Sequence, residues 1–420
     1  MWFRLLFACL LLAGCAAPPS PGPAAPAPVV PPPPADAASA AAAVPAPAAA
    51  SAPASQPASA PEAQPASMPV EATAPISVPR RLGEREARAL LERLLPARMP
   101  ERAGWTDDIL DAFTALRIPY SVEYFCAAAA VIEQESSWQG DPEVPGLSAI
   151  VWRQIEERAA RYHVPLAVVK TALLKPSPTG ASYKHRIDTL HTERQMNALF
   201  EDMAREAGRL GLPLNMRNPI RTGGPMQVSI EFAENHVRAW PYPYPRRGSV
   251  RQEVFTRRGG AYFGIANLLH YPAPYHEMIH RFADYNAGRY ASRNAAFQAA
   301  LARLSGKPLA LDGDLLRYHN GRPSGTSTVQ GALYGLSGRL GLPRAAIERD
   351  LQLEKLAGFG ASATYQRLFA LADAVAGKPL PRAVLPQIRL KSPKITRKLT
   401  TAWFAERVDG RYRTCLARRP

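Results

Sequence analysis

The segment Val131-Ile-Glu133-Gln-Glu135-Ser136-Ser-Trp138 holds the residues best suited to chemistry. Phe125, Ala129 and Ile132 are spaced by four and three, as one face of a helix requires, and the next positions on that stripe are Glu135 and Ser136. A carboxylate therefore stands on the apolar face. Glu133, two residues earlier and about 200° around the helix, points elsewhere. Gly140 and Pro142 stop the helix, so Glu135 lies in its last turn. Burial and the negative helix end are both expected to raise its pKa, the condition under which a glutamate serves as a general acid near neutral pH. The bland alternative is a helix-end glutamate held by Ser136 or Trp138.

Two later blocks change the balance. Gly224-Pro225-Met226-Gln227 is expected to open a helix with Met226, Ile230, Ala233 and Val237 on one face, and Asp284-Tyr285-Asn286-Ala-Gly288 to close another. In this order, after Glu-Ser at the end of an apolar helix, the three blocks resemble the signatures of the lytic transglycosylases of the lysozyme superfamily: Glu-Ser, Gly-x-Met-Gln and Tyr-Asn-Ala-Gly. The resemblance covers roughly Val122 to Leu304. It implies an α-helical lysozyme-like fold that cleaves the MurNAc-GlcNAc β-1,4 bond of peptidoglycan without adding water. On that resemblance Glu135 is the catalytic acid and base, giving 1,6-anhydromuramic ends. Ser136 supports the helix end, Met226 and Gln227 line the sugar groove, Tyr285 hydrogen-bonds Glu135, and Asn286 shapes the site around the sugar. One acid/base suffices when the nucleophile belongs to the substrate, so neither a second carboxylate nor a cofactor is expected. The chain departs from the family in one respect: 89 positions separate Glu135 from Gly224, which makes room for a helical insertion at about 145–220.

His276-Glu277-Met278-Ile279-His280 is a literal H-E-x-x-H, the zinc pattern of metallopeptidases when carried on a helix. Pro274 stands just before it, and the pattern's usual continuation and third ligand are absent, so no metal is expected there.

The elements that must position these residues are helical. Beyond Arg80 apolar residues recur with the helical period, over Glu84–Leu95, Thr106–Leu116, Val122–Trp138, Ala149–Tyr162, His185–Leu210, Met226–Val237, Val250–His270, His276–Tyr285 and Ala291–Leu304. Three more such segments lie within 329–376. The expectation is an all-α body: a lysozyme-like core over 80–310 carrying the insertion, then a helical extension over 311–420.

Before that body the composition changes. Nineteen of the 43 prolines fall between Ala16 and Pro79, a stretch without aromatic residues that cannot bury a core and is expected to be a disordered Pro/Ala-rich tether over 15–79. Extended, it could reach about 200 Å at ~3.1 Å per residue. Arg4, the apolar run Leu5 to Leu12 and then Leu12-Ala13-Gly14-Cys15 resemble a bacterial lipoprotein signal peptide, 1–14, with Cys15 as the acylated residue. Ala16 after it implies sorting to the outer membrane, facing the periplasm. In that oxidising compartment Cys126 and Cys415 could pair, or Cys126 could be a small buried apolar residue.

Only one of the 51 Lys and Arg precedes Arg80, against three of the 35 acids, so the rest carries a surplus of 18 positive charges. That favours an anionic partner. The motifs direct it to peptidoglycan strands rather than nucleic acid. The basic cluster Lys391, Lys394, Arg397 and Lys398 reads as a solvated face. Two other functions stay open at this point: a wall-binding lipoprotein that kept the groove without the chemistry, and a zinc peptidase using His276, Glu277 and His280.

Overall fold

The computed structural model describes residues 82–209, 218–246, 248–319, 321–389 and 399–419. The expected signal peptide, Cys15, the Pro/Ala tether and the cluster from Lys391 to Lys398 lie outside the described residues.

Helices dominate, as the periodicity requires. α1 (Glu84–Leu94), α2 (Arg102–Ala115) and α3 (Val122–Ser136) come first, followed by α4 (Leu147–Arg161), α5 (Leu166–Ala172), α6 (Tyr183–Asp188) and α7 (Glu193–Arg209). A hairpin of β1 (Thr222–Gly223) and β2 (Val228–Ser229) leads into α8 (Ile230–Ala239), α9 (Val250–Val254), α10 (Arg257–Leu269), α11 (Met278–Ala287) and α12 (Ala291–Ser305). After a second hairpin, β3 (Tyr318–His319) with β4 (Arg322–Pro323), come α13 (Thr328–Gly335), α14 (Ser337–Leu340), α15 (Arg344–Leu351), α16 (Ala363–Ala376) and α17 (Thr401–Leu416).

Capping explains where the expected helices break. The run His185–Leu210 is two helices because Thr192 caps α7: its hydroxyl accepts from Gln195 N at 3.3 Å and the Gln195 side chain accepts from Thr192 N at 3.2 Å. Thr256 likewise accepts from Gly259 N and starts α10 afresh, dividing Val250–His270. Met226 does not open a helix. It sits in the turn of the first hairpin, and α8 begins at Ile230, capped by Ser229.

Eight consecutive residues of α3, Phe125 to Ile132, are buried. A helix apolar all round must be enclosed by others. Here α1, α10 and α17 pack against it. Their residues, with Trp105, Phe113, Phe263 and Phe282, form the main core. Helices α4 to α7 build a separate small core from Leu147, Val151, Val169, Leu173, Tyr183, Ile187 and Leu199. A third core lies between α12 and α13–α16, centred on Phe297, Leu333, Ile347, Phe359 and Leu368. Beside it the buried Arg293 donates to the carbonyls of Glu354 and Leu356, while the buried Glu354 carboxylate takes the amides of Leu315 and Leu316.

The expected division at residue 310 needs correction. Residues 311–420 do not make one extension, because α17 leaves α13–α16 and returns to the main core, packing on α3 and α11 and burying Phe404, Ala405, Val408 and Cys415. A disulfide between Cys126 and Cys415, with Cα atoms 5.4 Å apart, fastens α17 to α3 across 289 residues. Closing so long a loop stabilises by about 5 kcal/mol on the chain-entropy model. Cys126→Ala and Cys415→Ala are therefore each expected to lower the urea midpoint strongly, and the double variant no further than the singles. An unchanged midpoint would show that packing alone holds α17.

Candidate active site

Glu135 lies half-buried in the last turn of α3, and the chain leaves that turn by a constrained route. Ser137 and Trp138 both adopt left-handed backbone, with φ of 50° and 68°. Non-glycine residues rarely do so, and the cost is of order 1–3 kcal/mol each when the surroundings do not compensate. The compensation is visible. Ser137 N reaches Glu133 O at 3.1 Å, Gln139 N reaches Ser136 O at 3.0 Å, and Trp105 Nε1 donates to the carbonyl of Trp138 at 3.0 Å. The two indoles meet edge to face at 5.6 Å. Ser136 is buried and its hydroxyl donates to Ile132 O at 2.9 Å, so it holds the helix end and does not stand at an open surface.

The two glutamates part as the helical phase requires. Glu133 points toward α17, where Arg411 approaches it at 3.8 Å. Burial, and after it the negative charge of Glu135, take the Tyr285 hydroxyl well above its ordinary pKa. Tyr285 in turn donates to the carbonyl of Met226 at 2.6 Å.

Met226 and Gln227 belong to a tightly docked turn. Met226 is fully buried against Gly264 of α10, where any side chain would collide with the methionine. Gly224 has φ 72° and lies on the carbonyl of Val254, leaving no room for a Cβ. Gln227, also left-handed at φ 48°, turns its amide outward. Its Nε2 donates to Glu193 Oε2 at 2.9 Å, and its Oε1 accepts from Thr222 at 3.4 Å.

The third block is held from behind by Asp284. This fully buried carboxylate accepts from Tyr275 at 2.8 Å, Tyr271 at 3.2 Å, Tyr290 N at 2.8 Å and Ser292 N at 2.7 Å. Burial raises its pKa against the pull of those hydrogen bonds. Asp284 thus faces the core and fixes the turn through Gly288, whose φ of 107° only glycine adopts readily. Asn286 receives Thr401 Oγ1 of α17 on its Oδ1 at 3.0 Å. Tyr285 is therefore bonded to the Met226–Gln227 turn and feels the charge of Glu135, whereas Ser136 bonds to Ile132 and Asn286 to Thr401.

One carboxylate here escaped the sequence reading. Glu193, at the first turn of α7 in the insertion, reaches Gln227. Its signal was the capping box Thr192-Glu-Arg-Gln195, which starts a helix there. Asp141 pairs with Arg194 at 2.8 Å, Glu143 is bridged to Thr192, and Glu231 is exposed.

The H-E-x-x-H segment is not built as a metal site. α11 begins at Met278 with Glu277 as its cap, so His276 precedes the helix and is exposed, whereas His280 is half-buried against Tyr275. Among the described residues no group of three His, Cys, Asp or Glu side chains is placed to hold a metal ion.

The body is mostly helical with two short hairpins and carries a half-buried glutamate at the end of α3. The chain belongs to the family described as protein of unknown function (DUF1615), which it matches over residues 98–418. It is similar to the uncharacterized protein YaiW of Escherichia coli (strain K12), 46% identical over 340 residues that cover 80% of this chain and 92% of that protein. No solved structure matches it. Among the described residues no helix is long and apolar enough to cross a membrane.

The docking of the Met226 turn is open to direct test. Gly264→Ala should destabilise by about 1–3 kcal/mol through overpacking, despite the better helix propensity of alanine. Gly331→Ala in α13, where a Cβ meets nothing within 4 Å, should be neutral or stabilising. Equal urea midpoints for the two variants would refute the tight contact between α10 and Met226.

Proposed function

We propose that this protein is a lytic transglycosylase of lysozyme-like architecture, held at the outer membrane by lipid on Cys15, that cleaves peptidoglycan strands and leaves 1,6-anhydromuramic ends. The observation that carries the reading is the bond from Tyr285 to the carbonyl of Met226, beside Gln227, with the charge of Glu135 acting on the same tyrosine. It joins three blocks that the sequence separates by up to 150 positions, in the combination the family resemblance calls for.

The chemistry follows from the residues. Glu135 protonates the leaving glycosidic oxygen and then takes the proton of the muramic C6 hydroxyl, whose oxygen closes on C1. Tyr285, held by its bond to the Met226 carbonyl at 2.6 Å, braces the turn that would line the sugar site. Gln227, held by Glu193 and Thr222, presents a fixed amide to the sugar. Local strain supports the reading as well. Among the described residues four of the seven non-glycine residues with positive φ, Ser137, Trp138, Gln227 and Tyr290, fall in or beside the three blocks.

A second reading, hydrolysis, is favoured by one observation: Glu193 brings another carboxylate to the Gln227 turn. An inverting hydrolase needs such a group roughly 6.5 to 9.5 Å from the acid, to activate water.

Glu135→Gln keeps the shape of the side chain and loses the transferable proton, so release of soluble fragments from purified wall should fall at least about a hundredfold, the scale of general acid catalysis. Wall binding should persist. Glu133→Gln, altered on the α17 side, should retain nearly full release. A dead Glu133 variant beside an active Glu135 variant would reverse the assignment.

A further inference from the structure

We propose that α5 and the turn before it form a membrane-docking face, on which Tyr162, Val168 and Leu174 enter the headgroup region of an anionic phospholipid bilayer while Arg158, Arg161 and Lys170 meet its phosphates. The face belongs to the unit built by α4 to α7 and uses no residue of the Glu135 site, so it stands or falls separately from the activity proposed above.

Exposed apolar side chains are scarce here and gathered in one place. Among the described residues four large hydrophobic side chains are exposed, and three of them fall between positions 162 and 174: Tyr162 at 42%, Val168 at 42% and Leu174 at 57%. The helical phase shows how they come to face outward. Val169 and Leu173, four apart, are buried in the small core, and α5 packs on α4. Ala167, Thr171 and Leu174, spaced by four and three, lie on the opposite side with Val168 next to them, and all four are exposed. From Val164 to Leu174 every exposed residue is uncharged. A helix that faces only water carries polar and charged residues on its outer side; this one carries no charge there.

The surrounding charge gives the sign of the partner. From Arg158 to Ile187 the chain holds six Lys and Arg and no Asp or Glu. Three of the six are neutralised within the unit: Lys175 pairs with Glu206 at 2.6 Å, Lys184 with Asp188 at 2.7 Å and Arg186 with Asp202 at 2.7 Å. Arg158, Arg161 and Lys170 have no acid partner among the described residues, and Lys170 lies over the Trp152 ring at 5.2 Å. Glu156 and Glu157 on α4 are outnumbered there by Arg153, Arg158 and Arg161. Apolar side chains at the centre of a face with cations around them are the composition of a membrane interface, a level at which tyrosine is favoured. A second copy of this chain would bring the same cations against one another. A soluble polyanion would engage the cations and leave Val168 and Leu174 in water.

The test uses the full chain with Cys15→Ser, so that no lipid of its own carries it to a membrane, and flotation with vesicles of phosphatidylglycerol or of phosphatidylcholine. This parent should bind the anionic vesicles at least about tenfold more tightly, since each of three cations contributes about fivefold near such a surface, and binding should weaken as salt is raised. Val168→Ser/Leu174→Ser, at exposed positions that belong to no core, should weaken binding about ten- to hundredfold. Val375→Ser, at the fourth exposed hydrophobic residue, should leave it unchanged. Hydrogen exchange in the parent should slow over residues 162–174 when anionic vesicles are added. Equal binding to both kinds of vesicle, or exchange over 162–174 that does not respond to them, would overturn the proposal. A parent that self-associates without vesicles, and no longer does so once Val168 and Leu174 are changed, would overturn it too and assign the face to a second copy.

Discussion

The structure depends on the complete burial of α3. A helix whose residues from Phe125 to Ile132 are all enclosed needs neighbours on every side, and it obtains them from α1, α10 and α17. That enclosure fixes the direction in which the helix can end. The apolar run stops at Ile132, the next residues carry polar groups, and the chain must turn away within one turn of the last buried residue. The left-handed pair Ser137 and Trp138 makes the turn, and Trp105 secures it. Glu135 is presented half-buried in the last turn, just beyond the buried stretch Phe125–Ile132. Close packing makes such a position precise, because neither the helix nor its neighbours can shift without opening voids.

Much of this was legible from residue spacing. The phase that separates Glu133 from Glu135 follows from a rotation of about 100° per residue, and Arg411 and Tyr285 lie on the two sides it indicates. The helical content, the separate insertion and the loop stops at Gly140 and Pro142 followed from period and punctuation. Other features were hidden for physical reasons. The Gly224 block reads as a helix opening, since Met226, Ile230, Ala233 and Val237 share a face, yet the docking of Gly223 and Gly224 against Phe255 and Val254 is a long-range contact that no local pattern carries. The return of α17 was obscured by composition. Thr401–Leu416 is rich in charge, and its buried positions, Phe404, Ala405, Val408 and Cys415, acquire meaning only once α3 is known to need a partner on that side. Glu193 was obscured by the apolar run across Leu190 and Met196, although the Thr192 capping box interrupts it.

The three motif blocks have different mechanical roles. The α3 end carries Glu135, the hairpin turn offers the Met226 carbonyl, and the Tyr285 turn bonds to it while Asp284 ties its back to Tyr271, Tyr275 and the start of α12. Second-rank residues do most of the positioning. Ser136 bonds to Ile132 and Asn286 to Thr401, and the tie between Asn286 and Thr401 couples the site to the same helix that the disulfide fastens to α3. Disturbance of α17 should therefore reach the site along two routes, through Cys126 on α3 and through Asn286 on α11. In the proposed function this rigidity serves a reaction in which one carboxyl must act twice, first as donor and then as acceptor, on two oxygens of the same sugar.

The central claim is that Glu135 works with a nucleophile belonging to the substrate and not with water. Digestion of purified wall in water labelled with heavy oxygen, followed by mass analysis of the released sugars, tests it most directly. The account predicts anhydromuramic ends without label, in the presence or absence of a chelator. Reducing ends that carry the label would contradict it and would assign to Glu193, or to another acid beside the groove, the activation of water.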